Sequence, residues 1–481
     1  MYAIGIDIGT TSICALAFDC KTGKAIKTIT ERNAGIIEDT EKSAVTCNST
    51  STEGIDAGNS APALATTRDF EDIQSPEAIL SQVSRMAREL STKFNPVAAI
   101  GISCQMHGIV YTDCLGNAVS PLYTWQDGRG SLTAPGGGVS YAGELSQITG
   151  NGGLASGYGA VTHYYNLKNN LVSEKATGFC AIGDYVGNRL AGNHANVTHA
   201  SNAASFGLYD VEMGRFDGLA LQKAGMSTDF FPKAIRECSI LGVTKENVPV
   251  SVCIGDNQAS FIGSAANPDD TILVNIGTGG QVSASSGSAT AHQKLESRPL
   301  TPNRYLHVGS TLCGGRAYAA LERFFSLTLR MAGFDSGRPL YEDMDRLLES
   351  DRGGFNDRLN ISTLFEGARS SPDLRGSVNN LGLGNFTPEH FIDGVLRGIA
   401  DELYELSGYI DGIEKRGTLV CSGNGVRKNR HLRKRIEERF NRPALIPEHE
   451  EEAAFGAALF ALTACGHYGS LPEAQSVISF I

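Results

Sequence analysis

The first residues alternate around isoleucine, and Tyr2 to Ile8 predicts a strand of period two. Ala15 to Asp19 predicts the returning strand, with Asp19–Gly23 as the turn after it. Farther on the period changes. Ile79, Leu80, Val83, Met86, Ala87 and Leu90 recur at helical spacing, and Ser75-Pro76-Glu77 offers an N-cap, a first-turn proline and an acidic first turn. Short apolar runs at Val97–Ser103, Val250–Ile254, Thr271–Ile276 and Thr418–Cys421 predict buried strands. Asn429 to Phe440 predicts a basic helix. Glu450 to Leu462, nearly all small or apolar after three glutamates, predicts a buried helix with an acidic first turn. Residues 36–72 lack this periodicity and are dominated by Glu, Asp, Ser, Thr and Gly. They read as a long surface insertion, with an interdomain linker as the alternative.

Three of these strands run into glycine-rich turns. The first leads into Gly9-Thr10-Thr11-Ser12, the strand at 271–276 into Gly277-Thr278-Gly279, and the strand at 418–421 into Ser422-Gly423-Asn424-Gly425. Glycine lets backbone N–H groups approach phosphate oxygens, and Thr and Ser hydroxyls add donors. A strand, a glycine turn and a helix also present helix N-terminal N–H groups to an anion. Two such turns some 270 residues apart suggest a duplicated scaffold gripping one polyphosphate. The lobe boundary is expected near Val248, giving lobes 1–248 and 249–481. No Gly-x4-Gly-Lys-Ser/Thr pattern occurs, which argues against a P-loop fold.

Composition narrows the classes. A chain of 481 residues with 41% hydrophobic and 19% charged residues is globular, with room for roughly two to four domains. A net charge of −11 argues against a general nucleic-acid binder. The basic run Arg427–Arg435 precedes Glu437-Glu438 and reads as a solvated helix face. Eleven cysteines without a Cys-x-x-Cys pair disfavour structural zinc, and the odd count disfavours a disulfide framework, so reduced thiols and a cytoplasmic location are expected. Neither a signal-peptide pattern nor a membrane-length apolar run is read in the sequence.

Several residues carry candidate chemistry. Asp7 ends a strand beside the first turn and reads as a Mg²⁺ ligand or as an aspartate capping its own turn. Asp256, in Gly255-Asp256-Asn257, reads as a general base or as a helix N-cap. Gln105-Met106-His107-Gly108 places polar side chains at a strand end, suited to a polyol; a satisfied loop histidine is the plainer alternative. Trp125, Asp127 and Arg129 share one face of an extended segment. They read as a carbohydrate wall, or as an ion pair beside a packed tryptophan.

Taken together these motifs resemble the FGGY family of carbohydrate kinases. Asp7-Ile8-Gly9-Thr10-Thr11-Ser12, Gln105-Met106-His107-Gly108, Gly255-Asp256-Asn257, Gly277-Thr278-Gly279, Ser422-Gly423-Asn424-Gly425 and Glu451–Ala458 occur in the family's order. The resemblance implies an α/β, actin-like ATPase (ribonuclease-H-like) fold with two lobes and a central cleft. It implies ATP and Mg²⁺ as cofactors and a ketose as the small-molecule partner, with no nucleic acid and no membrane. It assigns Asp256 as base and Asp7 to Mg²⁺. Gly9, Thr10, Thr11, Ser12, Gly277, Thr278 and Gly279 would face phosphates, and Gly423, Asn424, Gly425 and Asn429 the adenosine. Gln105, Met106, His107, Trp125, Asp127, Arg129, Asp256 and Asn257 would line the sugar. The segments 124–129 and 367–376 are most similar to family members acting on sedoheptulose, with xylulose as the alternative. An actin-like ATPase serving a filament or chaperone is the alternative from another class. Related kinases often carry Lys or Arg where Cys14 stands here.

Overall fold

The computed structural model of the chain describes residues 1–37, 70–350, 357–368, 371 and 373–481. Most of the expected insertion, together with Arg369, Ser370 and Pro372 of the 367–376 segment, lies outside the described residues. The chain divides into two compact units. The first comprises residues 1–263, 299–302 and 451–477, and the second comprises 264–298, 303–450 and 478–481.

In the first unit the strand Tyr2–Ile8 pairs antiparallel with Ser12–Asp19, which pairs antiparallel with Ala25–Arg32. On its other side Tyr2–Ile8 pairs parallel with Val97–Cys104. Isoleucines 4, 6 and 8 are fully buried, as the alternation requires. Helix Pro76–Lys93 starts as its signals predict: Ser75 caps Ala78 N–H, and Ile79, Val83, Met86, Ala87 and Leu90 are buried. The expected boundary after residue 248 is too early. Pro249–Ser251 and Ile254–Gly255 each pair parallel with Val97–Cys104, so both strands belong to the first sheet. The expected single strand at 250–254 is thus two short strands flanking Val252 and Cys253.

The helix Glu452–Ala464 also belongs to the first unit, far from it in sequence. Its burial follows from its composition, and the close approach follows from glycine. A Cβ on Gly5 would stand 1.8 Å from the carbonyl oxygen of Ala454, and one on Gly101 would stand 1.9 Å from that of Ala457. Only bare backbone on the two central strands admits the helix at this distance.

The second unit repeats the same strand logic. Thr271–Ile276 pairs antiparallel with Gly280–Ser286, which pairs antiparallel with Arg304–Thr311. On its other side Thr271–Ile276 pairs parallel with Thr418–Ser422, and that strand with Ala444–Leu445. Helix Pro388–Ser407 buries Ile392, Leu396, Ile399 and Leu403 in this unit's core. Helix Arg430–Phe440 buries Leu432, Ile436 and Phe440, with Asn429 as its N-cap. Several of its cations are held by carboxylates, including Arg435 by Asp393 at 2.6 Å.

Candidate active site

The first turn is a tight hairpin closed by Gly9 N–H donating to Ser12 O at 3.0 Å, with Thr11 and Ser12 exposed at its tip. Its carbonyls are gripped from below. Asn33 Nδ2 donates to Gly9 O and Gln74 Nε2 to Thr10 O, each at 2.8 Å.

Asp7 lies two residues before the turn, in cross-strand register with Cys14 on one side and Ser103 on the other. Ser103 Oγ donates to Asp7 Oδ1 at 2.7 Å. Even so, Asp7 is raised to about 7, first by burial and then by the charges of Asp256 and Glu451. Glu451, at the mouth of helix Glu452–Ala464, accepts from Thr30 Oγ1 at 3.1 Å. Cys14 is 3% exposed beneath the turn, with its thiol pushed up by burial and by Glu451. Asp256 and Glu451 thus both bear on Asp7. Among the described residues no three His, Cys, Asp or Glu side chains form a ready-made metal cage. A site offering one or two carboxylates, with phosphates and water completing the sphere, is the kind Mg²⁺ takes. Asp7 fits that donor set.

Asp256 opens the helix Asp256–Ser264, directly after the strand Ile254–Gly255, and is half-buried. Asn257 N–H donates to Asp256 Oδ1 at 2.8 Å and fixes the carboxylate.

His107 adopts a left-handed backbone, φ 75°. Such strain in a non-glycine residue clusters at working sites. Its ring stacks on Tyr158 at 4.6 Å, and Nδ1 lies 2.7 Å from Ser205 O. A carbonyl only accepts, so Nδ1 carries a proton. Met106 is buried against Gly255.

The segment 124–129 departs from its expected form. It is not extended throughout: Gly128–Ser131 is a 3₁₀ turn that Asp127 caps. Asp127 and Arg129 are 1% and 2% exposed and bind each other through two bonds, of 2.6 and 3.0 Å. Arg129 also donates to Asn166 Oδ1 at 2.6 Å and stacks over Tyr123 at 4.1 Å. The pair is a buried brace, not an open reader of hydroxyls. Trp125 differs, being 48% exposed, and its Nε1 donates to Thr10 Oγ1 at 3.0 Å. Gln105 is 2% exposed, with its amide committed to Thr10 and Gln74. Of the expected sugar-lining residues, His107, Trp125, Asp256 and Asn257 keep accessible surface.

In the second unit Gly277 and Thr278 are exposed at the turn. Their carbonyls accept from the N–H groups of Gly314, Gly315 and Arg316 at 2.9–3.1 Å. Gly314 and Gly315 open helix Gly315–Met331, and a Cβ on Gly314 would lie 2.3 Å from Gly279 O. This Gly-Gly pair was not singled out in the sequence, although it repeats the strand, glycine and helix order seen at 418–428. Gly423, φ 84°, packs against Ile276 O and starts helix Asn424–Lys428. Asn429 Oδ1 accepts from Leu432 N–H at 2.9 Å. Gly277–Gly279, Gly423–Gly425 and Asn429 thus belong to one unit, and Asp7, the first turn, the wall and Asp256 to the other.

Residues 44–263 match the N-terminal domain of the FGGY family of carbohydrate kinases. Over those residues the chain is similar to that family. It is 28% identical to mouse (Mus musculus) sedoheptulokinase over 404 residues, which cover 76% of this chain and 81% of that protein. Among solved structures it is similar to a gluconate kinase and a ligand-bound xylulose kinase, both from Lactobacillus acidophilus. Each has a TM-score of 0.78 and 19% identity, covering 100% of this chain and 92% of that one. The fold is the actin-like ATPase fold. No helix among its described residues is long and apolar enough to cross a membrane.

Proposed function

We propose that the chain is an ATP-dependent kinase that phosphorylates the terminal hydroxyl of a ketose, namely sedoheptulose at O7. The observation that carries this reading is Asp256: a carboxylate fixed by Asn257 N–H at a helix N-terminus and close enough to Asp7 to perturb it. In the proposed reaction the sugar hydroxyl oxygen attacks the γ-phosphorus while Asp256 takes its proton, and ADP leaves. His107 lines the sugar, and Trp125 covers C–H faces. The first unit, carrying these residues, binds the sugar. The second, with Gly277–Gly279, Gly423–Gly425 and Asn429, binds the nucleotide. Asp7 would hold Mg²⁺, which neutralises phosphate charge when bound.

Support for sedoheptulose comes from the likeness to mouse sedoheptulokinase, and xylulose is the nearest alternative. ³¹P and ¹³C NMR of the product test the assignment. A sedoheptulose 7-phosphate signal formed by the native chain and lost in Asp256→Asn is expected. A product phosphorylated at another position, or unabated turnover in that variant, overturns it.

A further inference from the structure

Three buried side-chain amides lie beneath the first phosphate turn: Asn33, Gln74 and Gln105, each no more than 3% exposed. Two backbone carbonyls set their polarity, since a carbonyl only accepts. Asn33 Nδ2 faces Gly9 O and Gln74 Nε2 faces Thr10 O. Gln74 is left with Oε1, which accepts from Gln105 Nε2 at 3.0 Å and from Asn33 Nδ2 at 3.3 Å. Gln105 is then left with Oε1, which accepts from the Thr10 hydroxyl at 3.0 Å. That hydroxyl has one proton, now committed, so its lone pair meets Trp125 Nε1 at 3.0 Å. The circuit runs from the Thr10 hydroxyl through Gln105 and Gln74 back to the Thr10 carbonyl. Reversing any amide sets two donors or two acceptors against each other, which costs a buried hydrogen bond. Its branch toward solvent is the half-exposed indole of Trp125.

We infer that Gln74 and Gln105 are positioning residues that carry occupancy of the Trp125 wall to the phosphate turn, so that a ketose and a nucleotide favour each other's binding. This rests on the kinase reading above. A sugar packed on the indole holds the ring and, through its N–H, the Thr10 hydroxyl. The turn is then held from both its hydroxyl and its carbonyl side, in the form that offers N–H groups to phosphate. Linkage makes the effect reciprocal, so a bound nucleotide tightens the wall by the same factor.

The test is calorimetric titration with the Mg²⁺ complex of a non-hydrolysable ATP analogue, with and without a saturating ketose that the native enzyme turns over. In the native chain the sugar should tighten the analogue about fivefold or more. Trp125→Phe keeps an aromatic ring and loses the N–H; Gln74→Met keeps length and loses both polar ends. Each should bring the ratio toward one and raise KM for ATP under saturating sugar. A purely structural defect weakens both arms alike and leaves the ratio standing. A native ratio of one, or a native-like ratio in Trp125→Phe, overturns the inference. If Gln74→Met does not fold, Trp125→Phe decides alone. A native chain that turns over no sugar overturns the kinase reading instead, which keeps the two failures distinct.

Discussion

Asp7 and Asn275 stand at matching places, each two residues before its turn glycine and each opposite a serine on the parallel neighbour, Ser103 and Ser422. Ser103 donates to the carboxylate at 2.7 Å, and Asn275 donates to Ser422 at 2.8 Å. One copy of the duplicated strand keeps a charge and the other replaces it with an amide, so this position is acidic in the first unit alone. The charge is held at a cost, because burial, Asp256 and Glu451 all oppose it. Asp7→Asn should therefore raise the stability of the metal-free protein at pH 8 by on the order of 1 kcal/mol. It should also weaken nucleotide binding that depends on Mg²⁺. Urea unfolding with and without MgADP checks both; a variant less stable than the native chain at pH 8 contradicts the first. Asp256→Asn should keep the fold and nucleotide binding while kcat drops about 10²–10⁴-fold. Trp125, the chain's single tryptophan, donates to Thr10, so its emission should respond to MgADP as well as to sugar. A flat MgADP titration would contradict that contact. The sequence showed which residue types stand at each turn. It could not show that Asp127 and Arg129 consume each other's charge, or that Gln105 lies under the turn rather than in the wall, because both depend on partners such as Asn166 and Gln74, far off along the chain.

Among the elements, those with strong local signals were legible. Helix Pro76–Lys93 announces itself through its period, cap and proline, and Thr271–Ile276 through an apolar run ending at a glycine turn. The 3₁₀ turn at Gly128–Ser131 has no such period, and the boundary at 263 is set by long-range pairing of Pro249–Ser251 with Val97–Cys104. Glu450–Leu462 read correctly as a buried helix, but its partners were invisible because glycines on distant strands define them. That contact is testable. Gly101→Ala sets a methyl 1.9 Å from the Ala457 carbonyl, so either the helix or the strand must move. Overpacking of this kind typically costs about 1–3 kcal/mol. Denaturant unfolding should give a loss of that order, together with reduced activity, because the same helix carries Glu451 toward Asp7. An unchanged midpoint would contradict this close docking of the helix on Gly101.

Across the whole molecule, stability should depend on pH through carboxyl groups that the fold keeps protonated. Asp184 is raised to about 7 by burial, against the opposing bonds from Thr198 and Ala181. A carboxyl whose folded value exceeds its unfolded value contributes most below the unfolded value. That contribution is lost as pH rises through the folded one, here between about 4 and 7. The metal-free protein should thus melt lower at pH 8 than at pH 6, and Asp184→Asn should narrow the gap; an equal or wider gap would contradict this. The reaction itself is tested by ADP release from MgATP with no sugar and with sedoheptulose, xylulose, gluconate or glycerol in turn. Little release is expected without sugar, and the largest kcat/KM with sedoheptulose. Release that is the same with and without every sugar would contradict the kinase reading.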